Sequence, residues 1–537
     1  MSVHDNATHD DQSEVMDYLG QPATHGLDAP PVRIDTHAAS VFLAGPDAYK
    51  IKRAVQYPYL DFSTLERRKS ACEAEIRLNR PNAPEIYLGV VPIVRRADGL
   101  HIGGAGEIVE WAVHMRRFDP ESTLDRLADR NELSPGILAE LVDVVVAAHV
   151  AAPARHDSGT TARIASLISD NASELREASL FADARIDRLG EEWRKAFEDA
   201  RAVLRERERT GHVRRCHGDL HLGNIVLIDG RPRLFDALEF DEALATTDEL
   251  HDLAFLLMDL WDRGLKDAAN VTRNRYLWAR DNASDLSACR ALPLFMSLRA
   301  AIRAKVAVAK LNATGNGGSE VAARRYLATA ESCMASASPG LVAIGGLSGT
   351  GKTTIAAALA PLIGVVPGAV HLRSDIERKR MFGVGDTERL PRNAYRESVT
   401  ADVYDRLRWK AARALDAGQT VVVDAVHDRK TERAAIEKVA REAVVPFAGI
   451  WLDAEEGVLL ERVASRQGDA SDADIDVVKL QLARQRDEVE WHRLASGGGV
   501  DDTVAALLEV LTTKSPAGNS WIRGDDRETG REVGGRS

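Results

Sequence analysis

Two stretches of this chain carry residue types at spacings that suit phosphoryl transfer. The first is His217-Gly218-Asp219-Leu220-His221-Leu222-Gly223-Asn224, followed by Asp236 at the end of a short apolar strand, Pro232-Arg233-Leu234-Phe235. Transfer to an alcohol needs a group that orients and deprotonates the hydroxyl, and oxygen ligands that hold Mg²⁺ across the phosphates. Asp219 suits the first task, and Asn224 and Asp236 suit the second. The second stretch, Gly346-Leu347-Ser348-Gly349-Thr350-Gly351-Lys352-Thr353, fits G-x-x-x-x-G-K-[ST] at every position. Glycines there let backbone N–H groups turn inward around phosphate oxygens, and the helix that follows adds its positive end. Lys352 would reach the β- and γ-phosphates and the Thr353 hydroxyl would ligate Mg²⁺. The nucleotide-holding set expected here is Gly346, Ser348, Gly349, Thr350, Gly351, Lys352, Thr353 and Thr354. Two signatures imply two nucleotides in two domains, and a bifunctional chain if both transfer phosphate.

The first signature needs a cation on the nucleotide, supplied by a strand of a small lobe. Val41-Phe42-Leu43, the turn Gly45-Pro46-Asp47 and Ala48-Tyr49-Lys50-Ile51-Lys52 read as a hairpin. Lys52 ends a Val-Ala-Ile-Lys-like run and is the expected cation. Lys50, two residues earlier and on the same face, is its rival. A charged helix from Ser63 to Arg80, stopped by Pro81, would carry the carboxylate that orients the lysine. Glu75 is expected in that place, with Glu73 as the alternative. More strands are expected at 88–94 and 108–115, and mostly helix from Pro120 onward. Adenine would meet backbone near Met115-Arg116-Arg117-Phe118.

The second signature follows the apolar strand Leu341-Val342-Ala343-Ile344 and opens a helix, the context its motif requires. Strands and helices then alternate to about residue 452, which implies a mostly parallel sheet. The small-residue run Ala335-Ser336-Ala337-Ser338-Pro339-Gly340 marks a boundary. The division expected is a disordered tail over 1–30, a first domain over 31–335 (small lobe 31–118, helical lobe 119–335), a second domain over 338–513 and a disordered tail over 514–537. The fold class expected is an α+β two-lobed protein-kinase-like domain followed by an α/β P-loop NTPase domain.

The His-Gly-Asp loop, the helix ending Val146-Ala147-Ala148-His149 and the later Asp252-Leu253-Ala254 resemble the aminoglycoside phosphotransferase and choline-kinase-like superfamily over roughly residues 31–335. That resemblance implies small-molecule hydroxyls as acceptors. Asp241, Glu242, Asp248 and Glu249 are available to hold a cationic acceptor. The P-loop, Arg373-Ser374-Asp375, Arg378, the strand Val421-Val422-Val423-Asp424 and the arginines Arg462 and Arg466 resemble small P-loop kinases over roughly 338–513: gluconate kinase, the polynucleotide 5′-hydroxyl kinase and zeta-toxin kinases. By this likeness Asp375 faces the acceptor hydroxyl, Asp424 supports Mg²⁺ or its water shell, and Arg462 and Arg466 stabilise the charge that spreads during transfer. The whole chain resembles bacterial fusions of these two enzyme types. The implied cofactors are ATP, with GTP not excluded, and Mg²⁺.

Composition sets outer limits. At 537 residues the chain is too long for one core, and 45% apolar with 28% charged residues is ordinary for a soluble globular protein. A net charge of -12 disfavours a large nucleic-acid footprint, although Arg373, Arg378, Lys379 and Arg380 form a local basic cluster. The four cysteines have no metal-type spacing and fit a reducing compartment. No apolar run approaches the ~18 residues that span a bilayer. A cytoplasmic enzyme acting on a small-molecule hydroxyl, with no membrane and with nucleic acid disfavoured, is the expectation; the alternatives are a P-loop domain that binds nucleotide as a regulator and one that phosphorylates nucleic-acid 5′ ends.

Overall fold

A computed structural model describes residues 11–36, 38–57, 60–465, 470–483, 488–514 and 521. The chain forms two compact units, Met1–Ser158 with Gly211–Asp252, and Gly159–Thr210 with Leu253–Ser537.

The first unit is built on an antiparallel sheet of six strands in the order Val32–Asp35, Ala39–Ala44, Asp47–Lys52, Glu107–Arg116, Tyr87–Arg96 and Gly99–Ile102. The hairpin turns at Gly45 and Pro46, and Gly45 takes φ +59°, a conformation that favours glycine. So short a turn leaves no extended glycine-rich loop. Side chains alternate along Asp47–Lys52. Ile51 joins Phe42, Ile93, Leu100 and Ala112 in a core on one face, and Lys50 and Lys52 meet the carboxylate of Glu75.

From residue 11 onward the expected N-terminal tail is ordered. Ser13–Gly20 is a helix whose Val15, Met16 and Leu19 are buried in that same core. Gln12 pins its start: Nε2 donates to Lys52 O at 2.9 Å and to Glu110 at 2.7 Å, and Oε1 accepts from Ala54 N at 2.8 Å. The polar composition of the segment masks three apolar residues that share one helical face.

The helix Leu65–Asn79 is capped by Thr64, whose hydroxyl accepts from Arg67 N. Its buried residues include Arg68, Cys72, Glu75 and Asn79, so it turns a charged face inward. The hairpin Ile225–Ile228 with Arg231–Leu234 places Asn224 and Asp236 just beyond its paired ends.

The second unit holds a parallel sheet of five strands in the order Val370–Arg373, Val421–Asp424, Leu341–Gly346, Phe447–Asp453 and His492–Ala495. The central strand is buried on both faces, as parallel strands usually are. Leu341 and Ala343 pack with Leu407, Val421 and Val423, whereas Val342 and Ile344 pack with Ile355, Leu359 and Leu507. Helices of the segments 159–210 and 253–333 belong to the same unit. Leu277, Leu286 and Cys289 sit in the core with Val370 and Leu372.

The expected C-terminal tail also holds an ordered residue. Trp521 is 1% exposed and packs with Ile355, Leu359 and Ile363. Gly340 makes room for it, since a Cβ there would lie 2.8 Å from the indole. A tryptophan buries too much apolar surface to stay in water when such a slot exists.

Candidate functional site

In the first unit the loop 217–224 is held from below by Asp252. Its carboxylate accepts the N–H of Gly218 at 2.8 Å and of His217 at 3.3 Å, and His149 Nε2 lies 3.1 Å away. His217 Nε2 meets Phe235 O at 2.9 Å, tying the loop to the strand that ends in Asp236. Burial depresses the His217 pKa and keeps the ring neutral near pH 7. Asn224 Nδ2 donates to both the carbonyl and the carboxylate of Asp219, each at 3.0 Å. Phe235 N donates to Asn224 O at 3.0 Å. Asp219, Asn224 and Asp236 therefore come together, with Asp219 near enough to oppose the charge on Asp236. Asp236 takes φ +58° and its N–H donates to Tyr87 Oη at 2.9 Å. That backbone state is uncommon for a residue with a side chain and is frequent at working sites.

Both lysines reach Glu75. Lys50 Nζ lies 2.9 Å from Glu75 and 2.6 Å from Asp236. Lys52 Nζ lies 2.6 Å from Glu75 and pairs with Glu239. The Lys52 side chain is 2% exposed and is enclosed by its two carboxylates, whereas Lys50 stands beside the carboxylate that the sequence assigns to metal. Burial alone would lower the pKa of Lys50, but Asp236 and Glu75 hold it well above the usual value. Burial likewise works against the charge on Asp236, and Lys50 outweighs it. The geometry thus favours the rival Lys50 over Lys52 for contact with phosphate. It favours Glu75 over Glu73, which is exposed and pairs with Lys69.

The four acidic residues offered for a cationic acceptor have other work. Asp241 caps the short helix Glu242–Ala245, and Glu242 pairs with Arg155. Asp248 accepts from Leu250 N, and Glu249 pairs with Arg214 and His212.

In the second unit the P-loop joins the strand Leu341–Gly346 to the helix Lys352–Leu359. Gly346, Gly349 and Gly351 have φ of +140°, +91° and +84°. A Cβ on Gly346 would stand 2.7 Å from Leu452 O, and one on Gly349 would stand 2.8 Å from Leu459 O. Only glycine fits either place. Lys352 Nζ donates to Leu347 O at 2.9 Å, and Thr350 Oγ1 donates to the same carbonyl at 2.9 Å. Ser348 N donates to Gln481 Oε1 at 2.9 Å, and Thr354 is exposed on the first helical turn.

Thr353 Oγ1 donates to Asp424 Oδ2 at 2.6 Å. Burial opposes the charge on Asp424, yet His371, Arg373 and Lys352 bring its pKa down to about 2. A hydroxyl paired with a firmly ionised carboxylate beside a phosphate cradle is a donor set that fits Mg²⁺. Asp375 opens the helix Ser374–Phe382, and burial raises its pKa against the pull of Arg373. A raised pKa suits a general base. Arg462 Nη2 donates to Ser496 O at 2.9 Å, and Arg462 Nη1 lies 3.8 Å from where a Gly351 Cβ would be, so it stands at the P-loop. Arg466 lies outside the described residues.

The basic cluster is largely spent inside the fold. Arg378 Nη1 donates to Ala394 O at 2.6 Å, Lys379 pairs with Asp472, and Arg380 pairs with Asp386.

Sequence reasoning missed Glu239, Tyr87, His371 and Gln481, and placed Arg373 in a motif and a basic cluster without a role at the metal-suited pair. His371 Nε2 lies 3.6 Å from Asp424 Oδ2, and Arg373 Nη2 lies 3.5 Å from Thr353 Oγ1. The signal for both was the two-residue period of the strand that leads to Asp375.

Residues 72–286 match the phosphotransferase enzyme family and residues 341–491 match a family described as an AAA domain. The uncharacterized protein Rv2004c of Mycobacterium tuberculosis (strain ATCC 25618 / H37Rv) is 30% identical over 485 residues, covering 89% of this chain and 94% of that protein. Among solved structures, a choline/ethanolamine kinase family protein from Mesorhizobium loti is similar at 16% identity and a TM-score of 0.38, covering 60% of this chain and 94% of that one. A gluconokinase from Sinorhizobium meliloti 1021 is similar at 22% identity and a TM-score of 0.23, covering 34% and 99%. The loop 217–224, the P-loop and both family matches agree on kinase-type phosphotransfer; in this chain a phosphotransferase-enzyme-family domain precedes a P-loop kinase-like domain, and the chain belongs to the family it shares with Rv2004c.

Proposed function

We propose that the chain phosphorylates hydroxyl groups of small molecules with ATP and Mg²⁺, using two nucleotide sites. The convergence of Asp219, Asn224 and Asp236 on one loop and strand end carries the first site. Asp219 orients and deprotonates the acceptor hydroxyl. Lys50, oriented by Glu75, holds phosphate oxygens, and Asn224 and Asp236 hold the metal. In the second site the glycine cradle and Lys352 hold the β- and γ-phosphates, and Thr353 and Asp424 hold the metal. Asp375 takes the acceptor proton and Arg462 spreads its charge toward the transferring group. Mg²⁺, when bound, neutralises the phosphate charge that would otherwise repel the nucleophile.

Acidic residues tied up as caps and ion partners favour a neutral polyol such as a sugar over a polycationic aminoglycoside at the first site. The internal pairing of Arg378, Lys379 and Arg380 weighs against nucleic-acid ends as acceptor at the second. Free, buried cysteines fit a cytoplasmic protein, and among the described residues no helix is long and apolar enough to cross a membrane.

The test is a screen of phosphate transfer from ATP across sugars, aminoglycosides and nucleosides. It is run on the intact chain, on Asp219→Asn and on Lys352→Ala. Each variant should lose its own share of transfer. If both leave ATP consumption intact, the assignment is wrong.

A second reading has one observation in its favour. Gln481 occupies the Ser348 N–H, a donor that faces the phosphate cradle in a working P-loop. A P-loop held shut in this way would bind nucleotide as a regulator. That reading predicts tight nucleotide binding without transfer by the second site, and altered first-site activity in Lys352→Ala.

A further inference from the structure

The edge strand of the parallel sheet, Val370–Arg373, pairs with Val421–Asp424 on one side only. Its outward N–H and C=O groups need partners, since an open edge is exposed to unwanted pairing. Among the described residues no further strand supplies them. The helix Lys266–Arg280 does so with side chains. Asn270 Nδ2 donates to Pro367 O and Ala369 O, both at 3.1 Å. Arg273 Nη2 donates to Gly368 O at 2.9 Å. Asn274 Oδ1 accepts from His371 N at 3.0 Å, and Trp278 Nε1 donates to His371 O at 2.7 Å. These four residues recur at helical spacing and form one polar, buried face. The fit is close. A Cβ on Gly368 would meet Asn270 Nδ2 at 2.7 Å and Ala360 O at 2.5 Å.

The same contacts reach the metal-suited pair of the P-loop site. The indole of Trp278 lies edge-on to the His371 ring with centroids 5.8 Å apart, and the Arg373 guanidinium stands 5.7 Å from the Trp278 ring centre. His371 and Arg373 are the residues that flank Asp424 and Thr353, at 3.6 Å and 3.5 Å. Two residues on is Asp375. A tryptophan that fixes one backbone carbonyl and underlies one guanidinium sets where the strand end points.

We propose that the helix Lys266–Arg280 is a positioning element of the P-loop site, acting through Trp278 on His371 and Arg373 and so on the metal-holding pair Thr353 and Asp424. The helix lies inside the stretch that matches the phosphotransferase family, so the second site depends on chain that sequence assigns to the first domain. This rests on the nucleotide reading given above.

The test uses the full chain with Trp278→Phe, which keeps a ring under Arg373 and loses the N–H, and Trp278→Ala, which loses both. Binding of a non-hydrolysable ATP analogue is titrated against Mg²⁺, and the share lost in Lys352→Ala is assigned to the P-loop site. Amide exchange over 367–373 is followed in parallel. Trp278→Ala should raise the half-saturating Mg²⁺ by ~10- to 100-fold, the range for groups that orient metal ligands. Affinity for the analogue without metal should hold within ~2-fold, and the His371 amide should exchange faster. Trp278→Phe should recover part of the Mg²⁺ response. Unchanged Mg²⁺ dependence in both variants, with binding still lost in Lys352→Ala, overturns the proposal alone. Faster exchange with an unchanged Mg²⁺ response overturns it too, because the helix is then only an edge cover. If the intact chain binds no analogue, or Lys352→Ala removes none, the nucleotide reading of the P-loop falls and takes this inference with it. Should Trp278→Ala fail to fold, Trp278→Phe alone decides, by a rise or no rise in half-saturating Mg²⁺.

Discussion

Within each site single atoms decide the chemistry, and the sharpest contrast lies between two lysines on one strand face. Lys50 and Lys52 share Glu75, but Lys52 is enclosed with Glu239 and Lys50 touches Asp236. Lys50→Ala should weaken ATP binding at the first site by ~10- to 100-fold, the worth of a charge-assisted hydrogen bond, as read by nucleotide titration. Lys52→Ala should instead lower stability by ~3–5 kcal/mol in a denaturant melt, because Glu239 would stay largely buried without a cation while Glu75 keeps only Lys50. Equal effects of the two variants on affinity would contradict the assignment. Asp219→Asn should cut first-site turnover by ~10²–10⁴ with the fold retained. At the second site burial raises the Asp375 pKa, so its base form is lost at a higher pH than for an ordinary carboxylate near ~3.9 as the medium is acidified. The acid limb of that site's rate profile should therefore lie above the usual carboxylate range. Asp375→Asn should remove the limb together with most of the rate. That the loop residues come together was legible because their types and spacing are tied to one local backbone. Lys50 against Lys52 was not, because strand alternation puts both on one face and only their partners separate them.

Elements differ in how far they can be read from local sequence. The hairpin 39–52, the helix ended by Pro81 and the strand–loop–helix around the P-loop were legible from turn residues and apolar period. Ser13–Gly20 was not, since three apolar residues among polar ones become a signal only when a sheet face is there to receive them. His492–Ala495 was hidden for a related reason. It is largely exposed, and it is a strand because Phe447–Asp453 offers it a parallel partner. The N-terminal helix yields a direct check. Leu19 is fully buried, and Leu19→Ala should destabilise the first unit by ~2–5 kcal/mol in a denaturant melt. No measurable loss would mean that the segment does not dock in solution.

At the scale of the whole molecule packing groups the chain differently from the small-residue run at 335–340, after which the second family match begins at residue 341. Helices from 159–210 and 253–333 lie in the compact unit that contains the parallel sheet, and Leu277, Leu286 and Cys289 share its core. That unit carries a built-in acid sensitivity. His427 is 1% exposed, its backbone N–H donates to Tyr404 Oη at 2.9 Å, and its ring lies between Tyr404 and Trp491. Burial lowers its pKa to about 3 from an ordinary value of 6.5, so it is held neutral. An unfolded chain takes up that proton first. The stability owed to the neutral ring is present in full above pH 6.5 and is lost as pH falls toward 3, with a slope of about 1.4 kcal/mol per pH unit. His427→Phe should flatten that part of the stability profile between those limits. A profile of unchanged slope would show that His427 is not the group responsible. The sequence by itself determined the two fold classes and kinase-type phosphotransfer, because each motif needs a fixed local backbone and names its own side chains. Tertiary structure alone decided which lysine stands beside Asp236, what buries Leu19 and Trp521 and which helix covers the edge strand Val370–Arg373, since partners 93 to 187 residues apart meet only after packing.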